Sequence, residues 1–441
     1  MTSSRAVLRP LVTTVYLPSV VFGVGQGAAL PMLPLRALEL GAPPALAAGI
    51  AALTGAGLVL GDLPAGRVVV RLGERRAILV GSGAGALGVL VVLLASTPAV
   101  LALGVLLSGC SMSVWTLARQ RYLADAVPVA VRARAMSLFA TMWRTGALVG
   151  PFVGAAVVQG VGVRGAFAVQ LVTVVLSGWL MARLPDVAAR PGDDPALGLG
   201  RQTVVTIAVR HRRLFATLGM ATLLMGAARA SRDAVVPLWG THLGLEPAQV
   251  ALVFGCAGVL EVLVSTPAGV LMDRYGRRAV ATPSLALLAA AYLLLPWSSS
   301  VATLAVVALV LGLGNGLGNG VVMTLGADVT PPHGRAQFLA SWRLLHDGGM
   351  FVGPLVVAVV ASVSLAVASG AVGVLALAGA GLMWRHVPRY VPHPGGLPST
   401  GRVPPAGPAP STLHVRPTGP DPSDPVPSTP GPARTTAVEA S

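Results

Sequence analysis

The stretch PAGRVVVRLGER, residues 64–75, is matched by PAGVLMDRYGRR, residues 267–278, in its leading small residues and in two of its arginines. A shift of 203 residues (267 minus 64) superposes the two, and the same shift aligns distant positions without a gap. The aligned positions are Pro34, Gly41, Asp125, Pro128, Arg132, Gly146, Gly150 and Pro151 with Pro237, Gly244, Asp328, Pro331, Arg335, Gly349, Gly353 and Pro354. Chance similarity between apolar helices would not keep one register over so many Gly, Pro and charged positions. The chain is therefore predicted to consist of two halves with the same fold.

The composition disfavours a soluble protein. Of the 441 residues 54% are hydrophobic and 11% are charged, with a mean hydropathy of +0.76, whereas soluble domains carry roughly 25% charged residues. Apolar runs of about 20 residues, the length that crosses a bilayer as a helix, recur along the chain. They predict twelve transmembrane spans, numbered 1 to 12 here, near residues 11–35, 44–66, 77–96, 99–121, 135–157, 165–184, 214–238, 248–269, 279–298, 301–324, 336–358 and 364–384.

The basic residues and the cysteines narrow the class of function. All 31 basic side chains are Arg, so a Walker lysine is absent and a nucleotide-driven pump is excluded. The net charge of +15 does not indicate nucleic-acid binding, because the arginines punctuate apolar segments and aromatic residues are only 5% of the chain. Cys110 and Cys256 lie inside apolar runs and provide neither a disulfide framework nor a C-x-x-C metal site. We expect no enzyme activity, no cofactor or metal, and no nucleic-acid partner.

The arginines concentrate on one side of the predicted spans. With a cytoplasmic N-terminus, the Arg-rich loops after spans 2, 4, 6, 8 and 10 lie inside, and only Arg36 and Arg164 clearly fall outside. This positive-inside pattern predicts an inner-membrane protein with both termini cytoplasmic. The predicted domains are six-helix bundles at 1–184 and 214–386, a cytoplasmic linker at 185–213, and a Pro-rich, disordered cytoplasmic tail at 387–441. The tail is either passive or a ligand for a partner domain.

The loops after spans 2 and 8 carry a recognisable signature, G-x-x-x-D-R-x-G-x-R-R. The second loop supplies Gly269, Asp273, Arg274, Gly276 and Arg278, and the first supplies Gly66, Arg71 and Gly73. The first copy has Val70 at the acidic position, so it departs from the pattern there. Over about residues 8–386 the chain thus resembles the major facilitator superfamily. The resemblance implies an all-α membrane protein of twelve transmembrane helices in two pseudo-symmetric six-helix bundles, which transports by alternating access.

Span 5 carries a second motif. Its residues Gly146, Gly150, Pro151 and Gly154 resemble the superfamily's G-x-x-x-G-P-x-x-G pattern, which is associated with antiporters and drug efflux. Within the superfamily the chain is most similar to bacterial twelve-helix drug:proton antiporters. The alternative is that small residues four apart simply let two helices approach closely.

Polar residues inside the spans are expected to be functional, because a charge in the membrane is costly. The resemblance places spans 1, 4, 7 and 10 around a central cavity. The residues expected to line it are Gln26 in span 1, Arg229, Arg232 and Asp233 in span 7, and Asn315 and Asn319 in span 10. The alternative is an ion pair between Arg229 and Asp233, which share a helix face and would satisfy each other.

Glu261 in span 8 and Asp347 in span 11 are the candidate proton-binding carboxylates. The resemblance also implies that span 2 lies beside span 11 and span 5 beside span 8. Estimated depths then predict two cross-seam ion pairs, Asp62–Arg343 and Arg144–Glu261, which close an inner gate in the outward-facing state. The alternative is that Arg343 pairs with Asp347 on its own helix and that Glu261 faces lipid or packing.

These features together predict proton-coupled efflux of small amphiphilic compounds by a monomer embedded in the lipid bilayer. Uptake or exchange of a polar, anionic metabolite is the first alternative, in which Arg229 and Arg232 bind the anionic group. A non-transporting membrane sensor or scaffold, acting through the Pro-rich tail, is an alternative from another class.

Overall fold

The computed structural model describes residues 11–127, 129–183, 207, 209–331 and 335–391. Every regular element in these ranges is helical, as the sequence predicts. The predicted linker at 185–213 and the predicted tail at 387–441 lie largely outside the described residues, so both stay predictions.

The helices keep the span numbers given above. Span 1 consists of Leu17–Ala29 and Met32–Glu39, and spans 2 to 6 are Pro44–Leu72, Glu74–Leu94, Pro98–Ala126, Val129–Val161 and Arg164–Met181. Spans 7 to 9 are Met220–His242, Pro247–Tyr275 and Arg278–Leu294, span 10 consists of Val301–Gly318 and Val321–Asp328, and spans 11 and 12 are Arg335–Ala361 and Leu365–Tyr390. Spans 2, 4 and 8 each begin on a proline, whose fixed φ suits the first helical turn and whose missing N–H is not needed there.

The number of apolar spans is slightly lower than predicted. Among the described residues, ten helices are long and apolar enough to cross a membrane, and span 1 counts as an eleventh although its two pieces meet at 43°. Span 5 is not among them, because Arg144, Pro151 and Gln159 interrupt its apolar run. Span 5 nevertheless packs lengthwise against span 1, so it occupies the place of a span in the bundle.

The repeated loop motif ends its helix in the same way in both halves. Span 2 stops at Gly73 and span 8 at Gly276, whose φ angles are +76° and +86°. Glycine adopts this conformation without the steric cost that a side chain brings. The glycine therefore turns the chain sharply, and the next helix starts at Glu74 in the first half and at Arg278 in the second.

The two halves repeat the same helix contacts. Span 1 packs on spans 5 and 6, and span 4 packs on spans 2 and 3. The second half repeats this with span 7 on spans 11 and 12 and span 10 on spans 8 and 9. The register agrees too, because Gly109 lies against Thr54 and its repeat partner Gly312 lies against Ala257. Between the halves, span 2 packs on span 11 and span 5 on span 8, as the resemblance implies.

Among the described residues, a shared buried core joins the two halves at one end. We call the end near Leu11 and Met181 the terminal end and the opposite end the distal end. At the distal end Met32 and Leu33 belong to the same buried cluster as Trp239 of the second half. At the terminal end a separate cluster contains residues of the first half alone. The described side chains of the two halves therefore share a buried core at the distal end and not at the terminal end.

Candidate functional site

A cluster of two arginines and two carboxylates ties span 7 to span 8. Arg232 Nη1 donates to Glu261 Oε2 over 2.8 Å, and Arg232 Nε lies 3.6 Å from Asp233 Oδ1. Arg229 Nη2 lies 3.7 Å from the second oxygen of Glu261. The four side chains are between 12% and 24% exposed, so the cluster is largely desolvated. Each charge is therefore stabilised by the opposite charges beside it and not by water.

The cluster lies near the middle of the helices. Glu261 is 14 residues from each end of Pro247–Tyr275, which is about 21 Å along the helix in either direction. The ring of Phe254 lies 4.5 Å from the Arg232 guanidinium, and the Tyr292 hydroxyl donates to the Ala228 carbonyl over 2.5 Å. Aromatic groups from spans 8 and 9 thus surround the charged groups on span 7.

Span 10 reaches the cluster at a break in its helix. Arg229 Nη2 donates to Asn319 Oδ1 over 2.6 Å. The chain leaves the helix at Asn319, and Gly320 has φ +84° before the helix resumes at Val321. Asn315, one turn earlier, is 3% exposed, and its Oδ1 has no hydrogen-bond partner among the described residues. The helix of span 10 is thus interrupted directly after Asn319, one turn beyond Asn315.

Gln26 does not join this cluster. Its amide nitrogen donates to the Met112 Sδ over 3.7 Å, so it contacts span 4 of its own half. The alternative, an ion pair between Arg229 and Asp233, is also not formed, because Asp233 lies beside Arg232 and Arg229 turns to Asn319 and Glu261.

The two predicted cross-seam pairs are not present in this structure. Arg343 Nε lies 3.3 Å from Asp347 on its own helix, with the Arg343 side chain 49% exposed, and Glu261 pairs with Arg232. Arg144 forms no ion pair among the described residues, although it is near enough to Glu261 to interact electrostatically. The pairs are predicted for the state in which the terminal end is closed, whereas the described core joins the halves at the distal end, so the gate stays a prediction.

The loop motif builds ion pairs of reversed polarity in the two halves. After span 8, Arg277 Nε lies 2.8 Å from Asp328 Oδ2 at the end of span 10 and its Nη1 lies 3.4 Å from Asp273. After span 2, Glu74 takes the position aligned with Arg277, and it accepts from Arg121 of span 4 over 3.0 Å. In the first half the acidic group is on the loop and the basic group is on span 4. In the second half the basic group is on the loop and the acidic group is on span 10.

The other residues of the loop motif either lie against an aromatic ring or have free space around them. The Arg278 guanidinium lies 3.3 Å from the Trp384 ring centroid and that of Arg274 lies 5.4 Å from Tyr275, whereas Arg71 is exposed. A Cβ at Gly66 or at Gly269 would meet no atom. The side chains of Asp125, Arg132 and Arg335 lie outside the described part of the chain.

The glycine motif of span 5 is a helix-packing surface. A Cβ at Gly146 or Gly150 would collide with the backbone of span 1 at Val20 or Val24, and one at Gly154 would lie in tight contact with Ala28. Span 11 repeats this, because Gly349 and Gly353 face the backbone of span 7 at Leu223 and Ala227 in the same manner. Since Pro151 and Pro354 also correspond, the motif serves close packing in both halves.

Sequence reasoning missed Arg119 in span 4. Its side chain is fully buried between the rings of Trp115 and Phe139, 3.6 and 4.2 Å from their centroids, and it donates to the Ser19 hydroxyl. The signal available in the sequence was the i, i+4 spacing of Trp115 and Arg119 inside a long apolar run.

Comparisons with known proteins agree with this geometry. The family model described as Major Facilitator Superfamily matches residues 15–231 and again 218–418. Among solved structures, the nucleoside transporter NupG is 14% identical with a TM-score of 0.68, over 86% of this chain and 99% of its own. A D-xylose-proton symporter is 16% identical with a TM-score of 0.65, over 86% and 98%. A POT family transporter in complex with 5-aminolevulinic acid is 12% identical with a TM-score of 0.67, over 87% and 96%. A comparison with curated protein sequences finds no match.

Proposed function

The chain belongs to the major facilitator superfamily of multi-pass membrane transporters, and we propose that it is a proton-coupled secondary transporter that works by alternating access. The core that the two halves share at the distal end, and the separate cluster of the first half at the terminal end, support this proposal, because one of two alternating states has such a core. The second state would separate the distal ends and close the terminal ends around the same cluster.

One observation carries the proposal, the cluster of Glu261, Asp233, Arg229 and Arg232 on spans 7 and 8. A proton on Glu261 removes the charge that holds Arg232 and weakens the tie between the two spans. Protonation then has a different free energy in the two states, which is the requirement for coupling. Asp347 is the second candidate, but its partner Arg343 is half exposed and the pair lies on one helix.

Export of small amphiphilic compounds is the proposed mode of transport. The resemblance of span 5 to the antiporter motif supports it, although the same packing in span 11 makes that motif less diagnostic. Among structural neighbours the D-xylose transporter is named a proton symporter, so the direction of transport must be decided by experiment.

Transport of an anionic metabolite is a second candidate, favoured by an excess of positive charge. Arg144, Arg229 and Arg232 face two carboxylates, and Arg144 lacks an ion pair among the described residues. Neutralising Glu261 would increase that excess and draw an anion to the site, so a proton and an anionic substrate would bind together.

Reconstitution into liposomes tests the function. A panel of amphiphilic cations, neutral compounds and small carboxylates is presented with an imposed pH gradient, with and without an uncoupler. We expect at least one compound to accumulate against its gradient and the uncoupler to abolish this. Uncoupler-insensitive transport, or none across the panel, would contradict proton coupling, and accumulation confined to carboxylates would favour the second candidate.

Both termini and the linker are proposed to be cytoplasmic, following the arginine distribution. Reporter fusions near Gly200 and Gly395 should both report cytoplasm, and a periplasmic signal from either would contradict the orientation. Deleting the residues after about 390 should leave transport intact. Loss of function on that deletion would favour the sensor or scaffold.

A further inference from the structure

A basic and aromatic surface lies where spans 9 and 12 reach the terminal end. The guanidinium of Arg278, the first residue of span 9, lies 3.3 Å from the ring centroid of Trp384 on span 12. Arg385 and Arg389 of span 12 are exposed, and so is Arg274 at the end of span 8. Spans 9 and 12 pack along each other, which keeps these side chains together. We call these five residues the basic surface.

The protein does not neutralise the charge of the basic surface. None of its four arginines forms an ion pair with a carboxylate of the described residues. The carboxylates at the ends of spans 8 and 10, Asp273 and Asp328, both contact Arg277 instead. The basic surface therefore has an excess of positive charge, which attracts an anionic partner.

The Trp384 ring continues a face of span 12 that points away from the other helices. Val367, Val374, Leu377 and Trp384 are between 55% and 59% exposed. They lie within about 100° of one another around the helix axis, at 3.6 residues per turn. Gly381 is on the same face, and a Cβ there would meet no atom. In a membrane an apolar face of this kind contacts acyl chains, and a tryptophan at its end lies at the level of the headgroups.

The first half does not build this surface, although its loop has an arginine at the aligned position. The shift of 203 residues aligns Arg278 with Arg75 and Trp384 with Met181. Arg75 donates from Nε and Nη2 to the Ala182 carbonyl at the end of span 6, and Met181 is fully buried. The contact of a loop arginine with an exposed ring is thus a property of the second half and not a requirement of the shared fold.

We propose that the basic surface binds the headgroup of an anionic glycerophospholipid, and that an acyl chain of this lipid lies along the exposed face of span 12. The phosphodiester accepts hydrogen bonds from Arg278 and Arg385, because a planar guanidinium can donate to two phosphate oxygens at once. The ring of Trp384 holds the Arg278 guanidinium at the headgroup level. The site lies on the lipid boundary of the protein and does not rest on the proposed transport function.

Quenching of tryptophan fluorescence by brominated lipids tests the site. The full chain is reconstituted into phosphatidylcholine bilayers that contain phosphatidylglycerol or phosphatidylcholine brominated near the headgroup end of the acyl chains. The contribution of Trp384 is the difference between the protein and its Trp384→Phe variant. Phosphatidylglycerol should quench Trp384 more strongly than phosphatidylcholine at the same content. Trp179 is the comparison within the chain, because it is 54% exposed and has above its ring only Arg183 of its own helix, so its preference should be smaller.

Single substitutions assign the preference to individual arginines. Arg278→Gln and Arg385→Gln should each lower the ratio of the two lipid association constants at Trp384 about fivefold, the equivalent of about 1 kcal/mol per arginine near a membrane surface. Arg76→Gln is the matched control, because it removes an exposed arginine from the start of span 3 at the same end of the protein. It should leave the ratio unchanged. Since Arg385 is exposed, its variant also provides the test if Arg278→Gln does not fold.

Equal quenching of Trp384 by the two lipids would overturn the site, and so would equal preferences at Trp179 and Trp384. An unchanged ratio in both arginine variants, or an equal fall in Arg76→Gln, would do the same. If neither lipid quenched Trp384, another protein surface, such as a second copy of the chain, would cover it. Relief of the quenching by inorganic phosphate would show that a soluble anion is the ligand. The assay needs no substrate and no gradient, so failure of this site and failure of proton-coupled transport are separately visible.

Discussion

Glu261→Gln should uncouple transport from the proton while leaving the transport cycle itself in place. The Arg232–Glu261 contact is a charge-assisted hydrogen bond of 2.8 Å between side chains that are 12% and 20% exposed. Such a bond contributes about 1.5–3 kcal/mol, and a neutral acceptor retains about half of this. The substitution thus removes about 0.8–1.5 kcal/mol from whichever state contains the pair. That shifts the equilibrium between the two states about 4- to 13-fold, which still allows substrate exchange.

Proteoliposomes separate the two activities of this variant. Exchange of labelled for unlabelled substrate should continue and its pH dependence should flatten, whereas accumulation driven by a pH gradient should fail. Asp347→Asn is the comparison, because it breaks a half-exposed pair worth about 0–1 kcal/mol. Normal uphill transport in Glu261→Gln, with failure in Asp347→Asn, would refute the assignment of the proton to span 8.

Other substitutions test the remaining features. Gly150→Ala should lower the melting temperature, since its Cβ meets the backbone of span 1 and overpacking costs about 1–3 kcal/mol; Gly160→Ala, with no atom near its Cβ, is the control, and equal melting temperatures would contradict the packing role. Arg229→Ala should abolish or redirect transport at unchanged membrane abundance, and wild-type transport would remove it from the site. Arg144→Glu should impair transport and Glu261→Arg added to it should restore part, whereas no rescue at normal abundance would count against the gate.

The sequence repeat predicted the fold well because it constrains many contacts together. Once the two loop motifs are aligned, the packing of span 1 on span 5 implies that of span 7 on span 11, and the structure has both. The ends of spans 2 and 8 were equally predictable, because Gly73 and Gly276 are required by the backbone conformation of the turn.

The ion-pair partners of the side chains were less predictable from the sequence. An estimated depth along a helix does not determine towards which neighbouring helix a side chain points. Arg144 and Glu261 are at similar estimated depth, yet Glu261 faces span 7 and pairs with Arg232. Arg119 was missed for a related reason. It lies near the end of a long span, where an arginine usually reaches the membrane surface, whereas here it is held between two rings.

The ion pairs that hold the loops after spans 2 and 8 have opposite polarity in the two halves. Glu74 finds a cation in Arg121, and Arg277 finds an anion in Asp328. Had the loop after span 2 docked on span 10, Glu74 would meet Asp328 in place of Arg121, and like charges would repel. Two bundles of the same fold made on one chain can thus fold side by side, because the loop of the first half is disfavoured on span 10 of the second.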